Sequence, residues 1–265
     1  MWEFCINLSD KNINASKKVY LALKDFCKEY NGIVTTYERC SSISILVTAE
    51  NCDEARYKHF ISNLISDIIC EDFKLKYLEE NLSLPNLDTI SKNAFLQALL
   101  SFDKESDKYL IQKYIVLEKS IDVEAFYFFR LSALREKWKE LVQIANDNKA
   151  YLSSNETLVE LLKFLVNNLE LKNDTINLMQ DNGKVCFYDT NFNLLKVNDL
   201  DEKDIDSTII SNLIAFAPKY VNIYCRETFN GNLIKLLKQI FDKRINFLDF
   251  DNVLKKWFFI KPFLP

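Results

Sequence analysis

The apolar period of this chain changes twice, near residue 73 and near residue 171, so neither an all-helical nor an all-strand fold can satisfy it. Before the first change, short alternating runs trade with helical spacing. Residues 4–8 read as a strand, and Val19, Leu23, Phe26, Cys27 and Tyr30 share one helical face, which predicts a helix over 16–30 closed by Asn31-Gly32. β-Branched and aromatic runs at 33–37 and 43–48 predict two paired strands. Asp53 then caps a helix with Tyr57, Ile61, Leu64, Ile65 and Ile68 on its inner face. This β-α-β-β-α order makes residues 1–80 a small mixed module.

Between the two changes the spacing is helical, interrupted chiefly at Ser83-Leu84-Pro85-Asn86, and residues 86–172 form a helical region. A seam of Leu131, Leu134, Trp138, Leu141, Val142 and Ala145 predicts one helix over 129–146. A second, capped by Ser153 or Ser154, carries Leu158, Leu161, Leu162, Leu165 and Leu169. After residue 171 a hairpin is expected, with strands at 175–179 and 184–189 about Asp181-Asn182-Gly183, and a third strand at 194–197. Asp206 or Ser207 opens a helix through Ile209, Ile210, Leu213, Ile214 and Ala217, which Pro218 ends. A strand at 220–224, a helix through Leu233, Ile234, Leu237, Ile240 and Phe241, and a strand at 245–250 complete a parallel crossover. The expected class is α+β: a mixed N-terminal module, a helical middle, and a C-terminal α/β region over 173–265 in which the hairpin precedes α-β-α-β and an aromatic tail.

Composition removes several functions. With 34 Lys and Arg against 38 Asp and Glu, interspersed, the chain lacks the basic face of a nucleic-acid binder. Three glycines cannot write a phosphate-cradling loop. Seven widely spaced cysteines, one histidine and no Cys-x-x-Cys pair point to reduced thiols in a cytoplasmic protein, with no metal and no cofactor expected. The start Met1-Trp2-Glu3-Phe4 is not a signal peptide, and no apolar run reaches the roughly 20 residues of a transmembrane segment.

Few side chains stand out as candidates. Arg130 follows a dense aromatic run, and Asp122, Glu124 or Glu160 could answer its charge, either as an ion pair clamping two helices or as part of an anion pocket. His59, between Lys58 and Phe60, reads as a solvated helix position, and Cys27 and Cys70 as small core residues. Cys225, Arg226 and Glu227 gather polar groups at the end of a C-terminal strand, where α/β folds hold ligands. Trp257, Phe258 and Phe259, flanked by lysines, form a tail that either covers an open sheet or core, or docks onto a partner.

The run Asp122-Val123-Glu124-Ala125-Phe126-Tyr127-Phe128-Phe129-Arg130-Leu131, followed by Leu158-Val159-Glu160-Leu161-Leu162-Lys163-Phe164-Leu165-Val166, resembles paired blocks of the sporulation protein YtxC family. Further on, Leu213-Ile214-Ala215-Phe216-Ala217-Pro218-Lys219-Tyr220-Val221-Asn222-Ile223-Tyr224 and Ile240-Phe241-Asp242-Lys243-Arg244-Ile245 are similar to two more of its blocks, in the same order. The resemblance spans about half the chain. It implies a cytoplasmic protein of endospore-forming, Gram-positive bacteria, linked to sporulation, and it brings no catalytic residue with it. Where the family has a glycine this chain has Ala125, and where it commonly has a histidine this chain has Tyr224. Relatives also carry a short cysteine cluster after the last strand, and residues 245–265 contain none.

The functional expectation is a non-enzymatic accessory protein of sporulation acting on a protein partner, with no catalytic residue assigned and the oligomeric state open. The alternative is an enzyme or small-ligand-binding protein with an unfamiliar site in the C-terminal α/β region.

Overall fold

The computed structural model describes residues 2–39, 41–50, 53–83, 88–148, 155–181, 184–195, 197, 205–224 and 228–248. The chain divides into two compact units, Met1–Leu82 with Asp103–Ala145, and Ser83–Phe102 with Asn146–Pro265. Both are α+β.

In the first unit, β1 (Trp2–Ser9) pairs antiparallel with β3 (Ser42–Ala49), which pairs with β2 (Ile33–Arg39). A short β4 (Ser120–Asp122) joins the other side of β1 in parallel, giving the order β2-β3-β1-β4. Alternation aims Phe4, Ile6 and Leu8 of β1, with Ile45 and Val47 of β3, into a core. That core also takes Val19, Leu23 and Cys27 of α1 (Ile13–Lys28) and Tyr57, Ile61, Ile65 and Ile68 of α2 (Glu54–Ile68). Asp53 caps α2 by accepting from the Ala55 amide at 3.3 Å. The α2 axis then runs through a π turn (Ile69–Phe73) into α3 (Lys74–Asn81), so Cys70 and Phe73 are also buried. α5 (Lys104–Tyr114), α6 (Val123–Arg130) and α7 (Ser132–Asp147) complete the helical side; α4 (Thr89–Ser101) belongs to the second unit.

Two local findings revise the expected boundaries. α1 stops at Lys28, and the reversal is made by Asn31, which takes a left-handed φ of 49°, while the Gly32 amide donates to the Cys27 carbonyl at 3.0 Å. A helix over 129–146 is not what forms. Leu131 leaves the helical region (φ −107°, ψ 39°) and divides α6 from α7, and β4 interrupts the stretch that reads as wholly helical.

Gly32 is required for close approach. A Cβ there would lie 2.6 Å from the Thr48 carbonyl oxygen and 2.9 Å from Cys27 Sγ. Gly32→Ala is therefore expected to destabilise the unit by about 1–3 kcal/mol through overpacking. A urea midpoint equal to the wild type's would contradict it.

The second unit is built on β5 (Asn173–Asp181), β6 (Lys184–Tyr188), β7 (Pro218–Tyr224) and β8 (Ile245–Leu248), in the order β6-β5-β7-β8. β5 and β6 form the expected antiparallel hairpin, while β5, β7 and β8 run parallel, as the crossover required. Ile176, Leu178, Phe187, Val221 and Ile223 are buried, as are Ile209, Ile210, Leu213 and Ile214 of α9 (Ile205–Phe216). α10 (Gly231–Phe241) adds Leu233, Leu237 and Ile240. α4 (Thr89–Ser101) packs along α9 and along α8 (Asn155–Asn168); it is capped by Asp88, and with Ala94, Phe95, Leu96, Ala98 and Leu99 all buried it has no single apolar stripe.

In place of a third strand over 194–197, the described residues show a single bridge from Leu194 to Tyr188. The chain there is taken up by a side-chain-stabilised loop. Asp189 accepts from the amides of Asn191 and Asn193, both at 2.8 Å, and Phe192 adopts a left-handed φ of 59°.

Candidate functional site

α6 starts where β4 ends, and Asp122 caps it by accepting from the Ala125 amide at 2.8 Å. Glu124 anchors it to the β1–α1 junction, accepting from the Ser9 amide at 2.8 Å and from Asn12 Nδ2 at 2.7 Å. Val123, Phe126 and Tyr127 face inward. Tyr127 packs edge-on to Phe73, with ring centroids 5.4 Å apart, and burial pushes its phenol up to about 12.

The helix then turns its last residues outward. Phe128 is 54% exposed, Phe129 is 83% exposed and Arg130 is exposed. Arg135, from α7, folds back over this knuckle: its Nη2 donates to the Phe128 carbonyl at 2.8 Å, and its guanidinium lies 5.8 Å from the Phe128 ring and 6.0 Å from that of Tyr127. Its Nε is buried with no acceptor among the described residues. Ile13, beside Asn12, is also exposed. Phe128, Phe129 and Arg130 at the end of α6, with Arg135 of α7 folded against them, make an ordered aromatic, cationic surface.

Of the residues singled out around Arg130, Asp122 and Glu124 are close in the chain but bonded elsewhere, and Glu160 lies exposed on α8 in the second unit. Arg130 forms no ion pair among the described residues. The arginine that turns inward is Arg135. His59 lies exposed on α2, its Nε2 3.0 Å from Asn63 Nδ2. Cys225, Arg226, Glu227, Trp257, Phe258 and Phe259 lie outside the described residues.

A second polar constellation closes the helical side of the first unit. Asp107, fully buried near the start of α5, accepts from Lys74 Nζ at 2.9 Å, Trp138 Nε1 at 3.0 Å and Lys137 Nζ at 2.7 Å. Lys74, only 1% exposed, stands at the exit of the π turn, a helix irregularity that recurs at special sites. Burial works against the Lys137 ammonium, but the hydrogen bond and charge of Asp107, with Asp103 3.3 Å away, outweigh it and hold its pKa above the usual lysine value. In the same region, burial pushes the Cys70 thiol up to about 12. Such a thiol is neutral and unreactive. The cluster is a tie between α3, α5 and α7.

The second unit holds a polar ladder that local sequence patterns do not announce. Register sets Asn177, Asn222 and Asn246 side by side on β5, β7 and β8. Asn246 Nδ2 donates to Asn222 Oδ1 at 3.1 Å, Asn222 Nδ2 donates to Asn177 Oδ1 at 3.0 Å, and Asn177 Nδ2 donates to the Asp189 carbonyl at 2.8 Å. Tyr224, at the position where the resembled blocks commonly have a histidine, donates its hydroxyl to Asn177 Oδ1 at 3.2 Å, and burial raises its pKa. The Asn177 carboxamide is thus occupied on both sides.

Together these features define an α+β protein of two sheet-based units whose buried polar groups mostly answer one another and whose α6 knuckle faces outward. Among the described residues no group of three His, Cys, Asp or Glu side chains is placed to hold a metal ion, and no helix is long and apolar enough to cross a membrane. The chain belongs to the YtxC-like family, which matches residues 53–246 and so takes in the chain from α2 to β8. No curated protein and no solved structure matches it.

Proposed function

We propose that this chain is a cytoplasmic accessory protein of spore formation in an endospore-forming bacterium, and that it works by binding another protein through the α6 knuckle rather than by catalysis. The observation that carries this reading is the pair Phe128 and Phe129, exposed together beside Arg130 within the segment the family matches. Scattered exposed apolar residues are ordinary, but adjacent phenylalanines flanked by arginine have the composition of an interface anchor. The anchoring of Asp122 and Glu124 keeps the surface ordered before contact, so little entropy is lost on binding.

The test is Phe128→Ser with Phe129→Ser in the chromosomal copy, alongside the purified double variant. Heat-resistant spore counts are expected to fall at least about tenfold, the effect of losing an anchor of about 1.4 kcal/mol or more. The purified protein should melt within a few degrees of wild type, since both side chains are exposed. Normal sporulation with a folded, normally expressed double variant would sink the reading.

A further inference from the structure

Of the outer strands of the two sheets, β2 is the longest and the least guarded among the described residues. β4 has three residues and leads straight into α6, β6 meets Leu194 through Tyr188, and β8 has four residues. β2 runs in unbroken register with β3 from Ile33↔Thr48 to Arg39↔Ser42, so no bulge bends its outer edge away, and its sequence contains neither proline nor lysine. Those are the devices by which proteins keep outer strands from pairing. Six of its seven residues are exposed. On the face away from the helices Ile33 is 70% and Tyr37 57% exposed, beside the exposed Leu46 of β3. On the helix side Val34 packs against the core, but Thr36 and Glu38 are exposed, so α1 and α2 do not cover that half of the strand.

We propose that β2 pairs antiparallel with β2 of a second copy of this chain, joining the two four-stranded sheets edge to edge. Strand geometry limits the registers. Residues directly opposite in a pair share a face, so a two-fold axis perpendicular to the sheet must set one residue against its own copy. Centred on Thr36, that arrangement uses all seven residues: Ile33 faces Arg39, Val34 faces Glu38 and Thr35 faces Tyr37 of the second copy. No like charges meet, because Glu38 and Arg39 lie together at one end and each is set against an aliphatic side chain. The strand is thus self-complementary, and this names a second copy as its partner over an unrelated strand. The two Tyr37 side chains become diagonal neighbours, whose spacing of roughly 7–8 Å is within reach of aromatic rings. They meet on the face where Ile33 and Leu46 of both copies are exposed. An edge-to-edge seam is small, so the association is reversible. The α6 knuckle follows β4 at the opposite end of the strand order, so the seam leaves it free and each dimer carries two.

The test is sedimentation equilibrium on the full chain and on two double variants at exposed positions of β2. Wild type should show a monomer–dimer equilibrium in which dimer predominates at about 100 µM chain. Thr35→Lys with Tyr37→Lys sets like charges directly opposite at two places in the seam, and the dissociation constant should rise at least about tenfold. Thr35→Lys with Tyr37→Glu sets opposite charges at the same two places and should dimerise at least about ten times more tightly than the first variant. Both should melt within a few degrees of wild type, since both positions are exposed. On mild oxidation Thr36→Cys, which faces its own copy, should give a disulfide-linked dimer, and Thr35→Cys should not. A chain that stays monomeric at that concentration would overturn the proposal and leave the edge to a strand of another protein. So would folded double variants that associate equally, or a dimer that Thr36→Cys fails to link.

Discussion

Asp107→Ala is expected to destabilise the first unit by about 3–5 kcal/mol, because it strips the carboxylate from a buried ammonium. Three donors from two helices converge on Asp107, and two of them, Lys74 Nζ and Trp138 Nε1, share its Oδ2. Removing the acid takes the carboxylate from the buried Lys74 ammonium and the acceptor from the Trp138 indole N–H, each a separate cost. Urea unfolding followed by far-ultraviolet circular dichroism reads the effect directly. A double variant, Lys74→Met with Asp107→Leu, removes both charges and fills the space, so it should recover most of the loss. A loss below about 1 kcal/mol for Asp107→Ala would mean that water reaches the cluster and the tie is weak.

The second large effect is on alkaline stability. Burial raises Cys70 from its ordinary value of 9.0 to about 12 and Tyr127 from 10.0 to about 12, while Asp107 and Asp67 raise Lys137 and Lys108 in spite of burial. All four shifts have one sign. A group whose pKa is higher in the folded chain than in the unfolded one contributes stability that is complete below the unfolded value and is lost as pH rises toward the folded value. For Cys70 and Tyr127 that window opens near 9 and 10 and closes near 12. Melting temperature should therefore hold steady around neutrality and fall by about 10 °C or more once the window is entered. Cys70→Ala should flatten the first part of that fall and leave the part due to Tyr127. A pH profile identical to wild type in Cys70→Ala would show that the thiol ionises without unfolding.

Much of the fold was legible because it is written in local periods. The α+β class, the α1 and α2 faces, the β2–β3 pair, the β5–β6 hairpin and the parallel β7-α10-β8 crossover all rest on spacings within about 20 residues. What escaped depends on partners far away in the chain. β4 is only three residues long and exists because Ile121 lies against Ile6 of β1, and the seam from Leu131 to Ala145 hides the break at Leu131. The Asp107 cluster joins residues 31 and 33 positions apart, and the asparagine ladder needs the register of three strands, so neither leaves a local trace. Attention to the run ending at Arg130 did point to α6, but helical reach alone could not tell that this arginine stays outside while Arg135 comes in.

The interleaving of the two units bears on how the protein is made. Cys5 pairs with Ser120, and Glu124 holds Ser9, so the sheet to which β1 belongs is completed only by residues more than a hundred positions later. By then Ser83–Phe102, which belongs to the other unit, has already emerged and must wait for its own partners from Asn146 onward. Translation therefore produces a long interval in which a nascent chain displays one unfinished sheet edge and one apolar helix, the exposure that chaperones recognise. Slowing synthesis would lengthen that interval rather than relieve it, because neither unit can close before the chain has passed residue 145.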